Sequence, residues 1–548
     1  MRFAAPTLAV LCALVLFTAL DRAGFLDDHE ARDAQVTRDC LRHREVLTPQ
    51  SGADPVFEKP MLAYAPEMLA RSLSRSAASR NAPLRSRQFR ALAALALVLL
   101  TGSIAHHRFG ARAGWCAAIS LVTMLGVPLA ARTDGTQVFA ALLGWCAAGV
   151  LWGAALGEQD MPDTSLALAY GALAGAMLVG GPLCALWPNG GIALYAGLAR
   201  SRSAWSRTRP LAGLAIVAGL TLPWYGAEVY LHGARWLPHA FWFPYALDAH
   251  GAWYSGPLLA LSVFVISCFP WSVLMPEATR HAAAEPDARS AHALIAILAC
   301  ALIPIAVHPG VPLSAALPAL PAAAMLCGRF MDHVLEDPRT LQGFVSRAAQ
   351  TLALLGSGAA LLLALAATRL PEAAGDIRLL AAVTFVTSWL PLLTVWRGGH
   401  RIAIALIALP IGIGAPLTSL FVLPGLENYL NARAVAETMN ERSPATAPLA
   451  VFAAPTPSLT FYTRRNIVNV TPDRAALAAL RADDGLAYAA FPPSTEADLT
   501  RHLGIPLEVL KRTPEAVLVR VKPDAAFDST AAASGRPASR EAPPATAR

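Results

Sequence analysis

Charge is scarce in this 548-residue chain: 15% of its residues are Asp, Glu, Lys or Arg and 55% are hydrophobic, whereas about 25% charged is usual for a soluble domain. That scarcity excludes an ordinary all-soluble protein. Lysine is nearly missing, with Lys59, Lys511 and Lys522 as its three examples, so the net charge of +7 rests on arginine. The arginines are scattered through short loops and form no dense stripe, which argues against nucleic acid as a partner. Disulfide scaffolds and cysteine metal sites are excluded as well. Cys12, Cys116, Cys146, Cys184, Cys268, Cys300 and Cys327 lie in or beside apolar runs, Cys40 is alone in a polar loop, and no CxxC pair occurs.

What is present is a succession of long apolar runs from Ala4 to Leu423, followed from about Asn428 by a mixture of charges, prolines and short apolar stretches. The first run, Ala4 to Leu20, follows one basic residue and exits through "FTALDRAG", a poor small-x-small cleavage site, so it reads as an uncleaved helix and not a signal peptide. Further runs begin near Arg90, Gly114, Gly135, Ser165, Leu183, Leu211, Ser255, Ala291, Val311, Ala348, Leu379 and Ile402. At some 20 apolar residues per crossing this predicts an α-helical integral membrane protein of about 13 transmembrane helices. "WPNGG" interrupts the pair between Ser165 and Ala199.

The expected division is a transmembrane domain over 1–426 with a first extracytoplasmic loop at 21–90, a small soluble α/β domain over 427–523, and a disordered tail over 524–548. In the soluble part, "PLAVFAA", "NIVNV", "GLAYAAF" and "AVLVRVK" read as strands and "DRAALAALRAD" as helix. It contains no Gly-rich phosphate loop and no nucleophile elbow. The tail is rich in Ala, Ser, Pro and Arg. Short arginine-rich loops such as "HHRFGAR", "RSRSAWSRTR" and "WRGGHR" place the N-terminus in the cytoplasm and the soluble domain outside it. The basic end of the first loop opposes this orientation, but that loop is too long to count strongly.

The chemistry is expected in the first loop. Directly after the first span, "FLDDHEARDAQVTRDC" sets Asp27, Asp28, His29 and Glu30 at the membrane surface, where carboxylates are costly without a task or a partner. A solvated helix boundary is the plainer account of the same acids. From Glu30 onward, Ala31, Ala34, Val36 and Leu41 fall on one side of an amphipathic helix suited to the interface. Further on, "PVFEKPMLAYAPEMLARSL" carries Glu58, Lys59 and Pro60 before a second amphipathic segment. A compact ammonium beside the headgroup region is a suitable partner for a lipid phosphate.

With "LDDHEARDAQVTRD" and "VFEKPMLAY" in this order, followed by "RTDGTQVFAALL", "TLPWYGAEVY", "DAHGAWYSGPLLAL", "FPWSVLMPE" and "PSLTFYTRRNIVNV", the chain resembles the polytopic membrane glycosyltransferases of the aminoarabinose and protein-mannosyl transferase type, which have the C-type glycosyltransferase fold. The resemblance spans almost the whole chain. Two family features are missing: Gly180 stands in "MLVGGPLCALWP" where members carry a lysine, and "HPGVPLSAALPALP" lacks the usual lysine and tyrosine.

The resemblance implies sugar transfer from a polyprenyl-phosphate donor to a lipid (lipid A-like) or protein acceptor at the extracytoplasmic face of a bacterial inner membrane. Asp28 is then the expected base, with Asp27 next and Glu30 beside them, and Lys59 the donor-phosphate contact. Glu58, Asp134 and His250 are supporting residues. The reaction requires no cofactor; a divalent metal is compatible with Glu58 and His250, though a capping or interfacial role for His250 is the simpler reading. Asp134 beside Arg132 reads more simply as an interfacial ion pair. Trp224, Tyr225, Trp236, Trp242, Trp253 and Tyr254 suit sugar stacking or an aromatic belt. The rival function is a lipid or glycolipid transporter, which internal repeats and mid-membrane charges would favour. An inactive paralogue with a scaffold role is the third.

Overall fold

The computed structural model describes residues 4–521, apart from 53, 73–81, 134, 158–160, 237–238, 240–255, 286–287, 307–312, 453–456, 464, 466, 470–485, 498–500 and 502–506. Asp134, His250, Trp242, Trp253, Tyr254, the "DRAALAALRAD" stretch and the tail lie outside the described residues. The chain forms two compact units. One comprises Met1–Arg22 and Val36–Pro424; the other comprises Ala23–Gln35 and Gly425–Arg548.

In chain order the main helices are α1 (Ala4–Phe17), α2 (Asp28–His43), α3 (Met61–Ser72), α4 (Ala82–Phe109), α5 (Ala111–Val122), α6 (Gly126–Thr133), α7 (Gly135–Leu156), α8 (Asp163–Gly180), α9 (Leu183–Leu198), α10 (Arg202–Ser206), α11 (Pro210–His232), α12 (Gly256–Cys268), α13 (Met275–Ala284), α14 (Arg289–Ala306), α15 (Leu320–Glu336), α16 (Pro338–Arg369), α17 (Ala374–Trp396), α18 (His400–Leu406), α19 (Leu409–Leu417), α20 (Arg433–Arg442) and α21 (Pro457–Thr463). Among the described residues eight helical segments are long and apolar enough to cross a membrane, or nine if the bent pair α5 and α6 is one span. α1 and α12 are apolar but shorter. The outer faces of the long helices present leucines to the surroundings, for example Leu211 and Leu214 of α11 and Leu354 and Leu362 of α16. This apolar exterior, with backbone groups paired inside helices, is that of an integral membrane protein.

Two departures from the sequence expectation have local causes. The run from Gly114 bends by 54° between α5 and α6, because the Thr123 hydroxyl turns back to the Ile119 carbonyl and accepts from the Trp271 indole at 2.8 Å. "WPNGG", expected to break a span, lies within α9 with Pro188 inside the helix, and the break falls earlier, at Gly181 with φ 83°. Close packing relies on small residues. A Cβ on Gly328 of α15 would stand 2.6 Å from the Ala113 carbonyl of α5, and one on Gly114 would stand 2.8 Å from the Gly102 carbonyl of α4.

In the first loop, the two-residue strands β1 (Gln50–Ser51) and β2 (Asp54–Pro55) pair antiparallel. The second unit holds a mixed five-stranded sheet of β3 (Leu449–Val451), β4 (Ile467–Asn469), β5 (Ala487–Phe491), β6 (Glu508–Arg512) and β7 (Val517–Val521) in the order β4-β3-β5-β7-β6. β3 pairs parallel with β4 and β5, while β7 pairs antiparallel with β5 and β6. The β6 edge is charged and bulged between Val509 and Lys511, which blunts further strand pairing. Val435, Ala436 and Met439 of α20 cover one face beside Leu449 and Leu518.

Phe25 belongs to this second unit. Its ring packs edge-on against Phe461 at 4.9 Å, and its carbonyl accepts from the Asn431 amide at 2.9 Å.

Candidate functional site

The three acids after the first span are sorted by geometry. Asp27 occupies the N-cap position of α2, its Oδ1 accepting from the Glu30 amide at 2.7 Å. The Glu30 carboxylate reaches back and accepts from the Leu26 amide at 3.0 Å, and the side chain is 3% exposed. Together they form a variant of the capping box, satisfying donors that a helix start leaves orphaned.

Asp28 points elsewhere. It is exposed and takes no part in the cap, yet the surrounding protein raises its pKa above the ordinary carboxylate value, with His29 opposing. Half-buried Glu515, in the turn between β6 and β7, is also raised, first by burial and then by the charge of Asp28. The two carboxyls are therefore near enough for the charge of Asp28 to disfavour ionisation of Glu515. Such a pairing is a frequent mark of an acid-base site.

Lys59 and Glu58 belong to the first unit, and their loop is held by three helices, α2, α3 and α11. The Asp39 carboxylate of α2 accepts from the Gly52 amide at 2.9 Å. Val36, Cys40, Val56, Met61 and Tyr64 form a small apolar core joining the end of α2 to the start of α3. From α11, the Trp224 indole donates to the Leu47 carbonyl at 3.0 Å. Glu228 completes the attachment: its Oε1 accepts from the Thr48 hydroxyl at 2.8 Å. That hydroxyl also lies 3.1 Å from Nε2 of His232, whose ring packs on Phe57 at 4.9 Å.

Glu228 is fully buried, so its carboxylate depends on these partners. Lys59 is 9% exposed and already engaged by neighbours. Beside it, Pro60, Met61, Leu62, Met68, Leu178 and Trp224 line an apolar cavity of about 350 Å³. Trp224 and Tyr225 therefore hold the loop and its surroundings, with Trp236 packed on both at 5.5 Å.

While its expected partner Asp134 lies outside the described residues, Arg132 has a role that the sequence did not announce. Its guanidinium donates to the Val15 and Thr18 carbonyls at 3.0 and 3.3 Å, and Arg87 donates to the Leu20 carbonyl at 3.0 Å. These buried arginines satisfy the open carbonyl end of α1 and complement its dipole. Gly180 shows why no lysine can stand there unaided: a Cβ would meet Cys184 Sγ at 2.5 Å and Ala140 Cβ at 3.0 Å.

Sequence reasoning missed Thr48, Glu228, His232 and Glu515. Glu228 carried a readable signal, a lone acid inside an apolar run. Glu515 carried none, because its pairing with Asp28 joins opposite ends of the chain.

No protein-family model matches the sequence, and no curated protein matches it significantly. Solved structures do match in fold. ArnT from Cupriavidus metallidurans bound to undecaprenyl phosphate superposes with a TM-score of 0.76 at 19% identity, over 94% of this chain and 97% of that one. Its apo form gives 0.74 at 18% identity over 95% and 97%. An oligosaccharyltransferase from Archaeoglobus fulgidus in the apo form gives 0.52 at 8% identity over 90% and 70%. The architecture is therefore that of the C-type membrane glycosyltransferases. Within that class, the ArnT version of the fold extends over nearly the full length of the chain.

Proposed function

We propose that the protein transfers a sugar from a polyprenyl-phosphate donor to a hydroxyl of a lipid or protein acceptor at the extracytoplasmic face of a bacterial inner membrane, with the C-terminal unit on that face. The observation that carries this reading is the ArnT-like fold over 94% of the chain, because one such structure is bound to undecaprenyl phosphate. The apolar cavity beside Lys59 adds support, since its lining suits the isoprenoid part of such a lipid.

Asp28 is the base. Its carboxylate takes the proton of the acceptor hydroxyl as that oxygen attacks the anomeric carbon. The bond from the anomeric carbon to the phosphate oxygen breaks, and the electron pair leaves with the polyprenyl phosphate. Lys59 stabilises that phosphate, so no general acid is required. One displacement inverts the anomeric centre. Asp27 and Glu30 keep Asp28 at the start of α2, and Glu58 supports Lys59. Asp134 and His250 keep supporting roles in this proposal, and no step passes through a metal.

The test is transfer by the purified full chain from polyprenyl-phosphate sugars to membrane acceptors, in wild type, Asp28→Asn and Lys59→Met. Each variant should lose about 100-fold or more. Absence of transfer by wild type with every donor would sink the proposal and favour transport or a scaffold.

A further inference from the structure

A second cluster of chemistry-bearing side chains lies away from the first loop and takes no part in the reaction above. His281 is on α13, Glu285 follows that helix directly, and His333 is on α15. One ligand atom from each lies within 4.8 Å of the others. We propose that these residues form a site for a first-row transition-metal dication of the zinc class, which clamps α13 to α15.

Glu285 stands four residues after His281, at the C-cap of α13, with Nδ1 of His281 3.2 Å from its Oε1. His333 arrives from the neighbouring helix and stacks its ring on His281 at 4.8 Å with 22° between the planes. Nδ1 of His333 is buried and has no hydrogen-bond partner. A buried polar atom left in this way is costly, and a metal bond would relieve it.

Tetrahedral zinc with bonds of 2.0–2.1 Å spaces its ligand atoms about 3.3 Å apart. Small rotations of three half-buried side chains close the gap from 4.8 Å. Two imidazoles and one carboxylate suit zinc and its neighbours, whereas magnesium and calcium prefer all-oxygen sets. Arg329 holds the other oxygen, Oε2, of Glu285. It fixes the carboxylate while leaving Oε1 toward the histidines, as an outer partner of a metal ligand does. Three protein ligands also leave a fourth position open.

The experiment uses the full chain in detergent, stripped with a chelator and carrying Glu58→Gln and His250→Ala to remove the other metal candidates. Zn²⁺ alone is titrated by calorimetry, and Co²⁺ binding is followed by its visible spectrum. One ion should bind, and His281→Ala and His333→Ala should each weaken Zn²⁺ binding by about tenfold or more. Unchanged affinity in both variants would overturn the site. Should either variant fail to fold, the Co²⁺ spectrum of the parent decides: tetrahedral bands without sulfur charge transfer support it, and thiolate charge transfer or no bands overturn it. Neither readout depends on sugar transfer.

Discussion

Replacing the neighbouring carboxylates Asp27 and Asp28 one at a time separates holding a helix from doing chemistry. Asp27→Ala removes the acceptor of the 2.7 Å bond from the Glu30 amide. Loss of an N-cap costs about 1 kcal/mol, which is roughly a fivefold faster opening of the capped turn. Hydrogen exchange at the Glu30 amide, followed by mass spectrometry on short peptides, reads this directly. Sugar transfer should fall only by a similar factor. Asp28→Asn should do the reverse: exchange at Glu30 stays at the wild-type rate, because Asp28 takes no part in the cap, and transfer falls by about 10² to 10⁴ with the base gone. Glu30→Gln keeps an oxygen for the Leu26 amide and should be mild in both assays. A transfer rate in Asp28→Asn within about threefold of wild type, or a collapse in Asp27→Ala with unchanged exchange, would refute the division of labour.

Asp28→Asn should lower the pKa of Glu515. The coupling to be tested runs from the charge of Asp28 onto Glu515, which is raised first by burial and then by that charge: in Asp28→Asn the carboxyl of Glu515, followed by carboxyl-labelled NMR, should titrate at lower pH than in wild type, and an unmoved titration would contradict the coupling. Glu228→Ala leaves the buried Thr48 hydroxyl without its acceptor at a cost of about 1–3 kcal/mol, so the first loop should become more sensitive to proteolysis and KM for the polyprenyl donor should rise. If neither changes, Glu228 does not anchor the loop. Gly180→Lys should lower thermal stability without raising transfer, since overpacking costs about 1–3 kcal/mol and the space beside Cys184 and Ala140 is filled; a faster enzyme would show that the cavity can take back a cation there.

The sequence made some of this readable and hid the rest for identifiable reasons. The two amphipathic segments of the first loop appear as α2 and α3 because helical period is a local property. Even so, α2 starts at Asp28 and not at Glu30, since capping by Asp27 depends on a hydrogen bond that periodicity does not report. The spans were visible as apolar runs, but the bend between α5 and α6 depends on Trp271, 148 positions from Thr123. Asp28 was selected by position, whereas the distinction between it and its capping neighbours needed coordinates. The Thr48 to Glu228 bond spans 180 positions, and no pattern in either segment announces the other.

The second unit joins Ala23–Gln35 to Gly425–Arg548, so the ring of Phe25 has no Phe461 to meet until the chain has been made as far as that residue. At 5–20 residues per second, that wait is roughly half a minute or more. A fragment beginning at Gly425 would lack both the ring and the carbonyl that Asn431 grips. The first polar stretch to emerge is therefore among the last to settle, and Asp28 meets Glu515 only once the chain has been made past that residue. A chain terminated before Glu515 has Asp28 but not the carboxyl on which its charge acts.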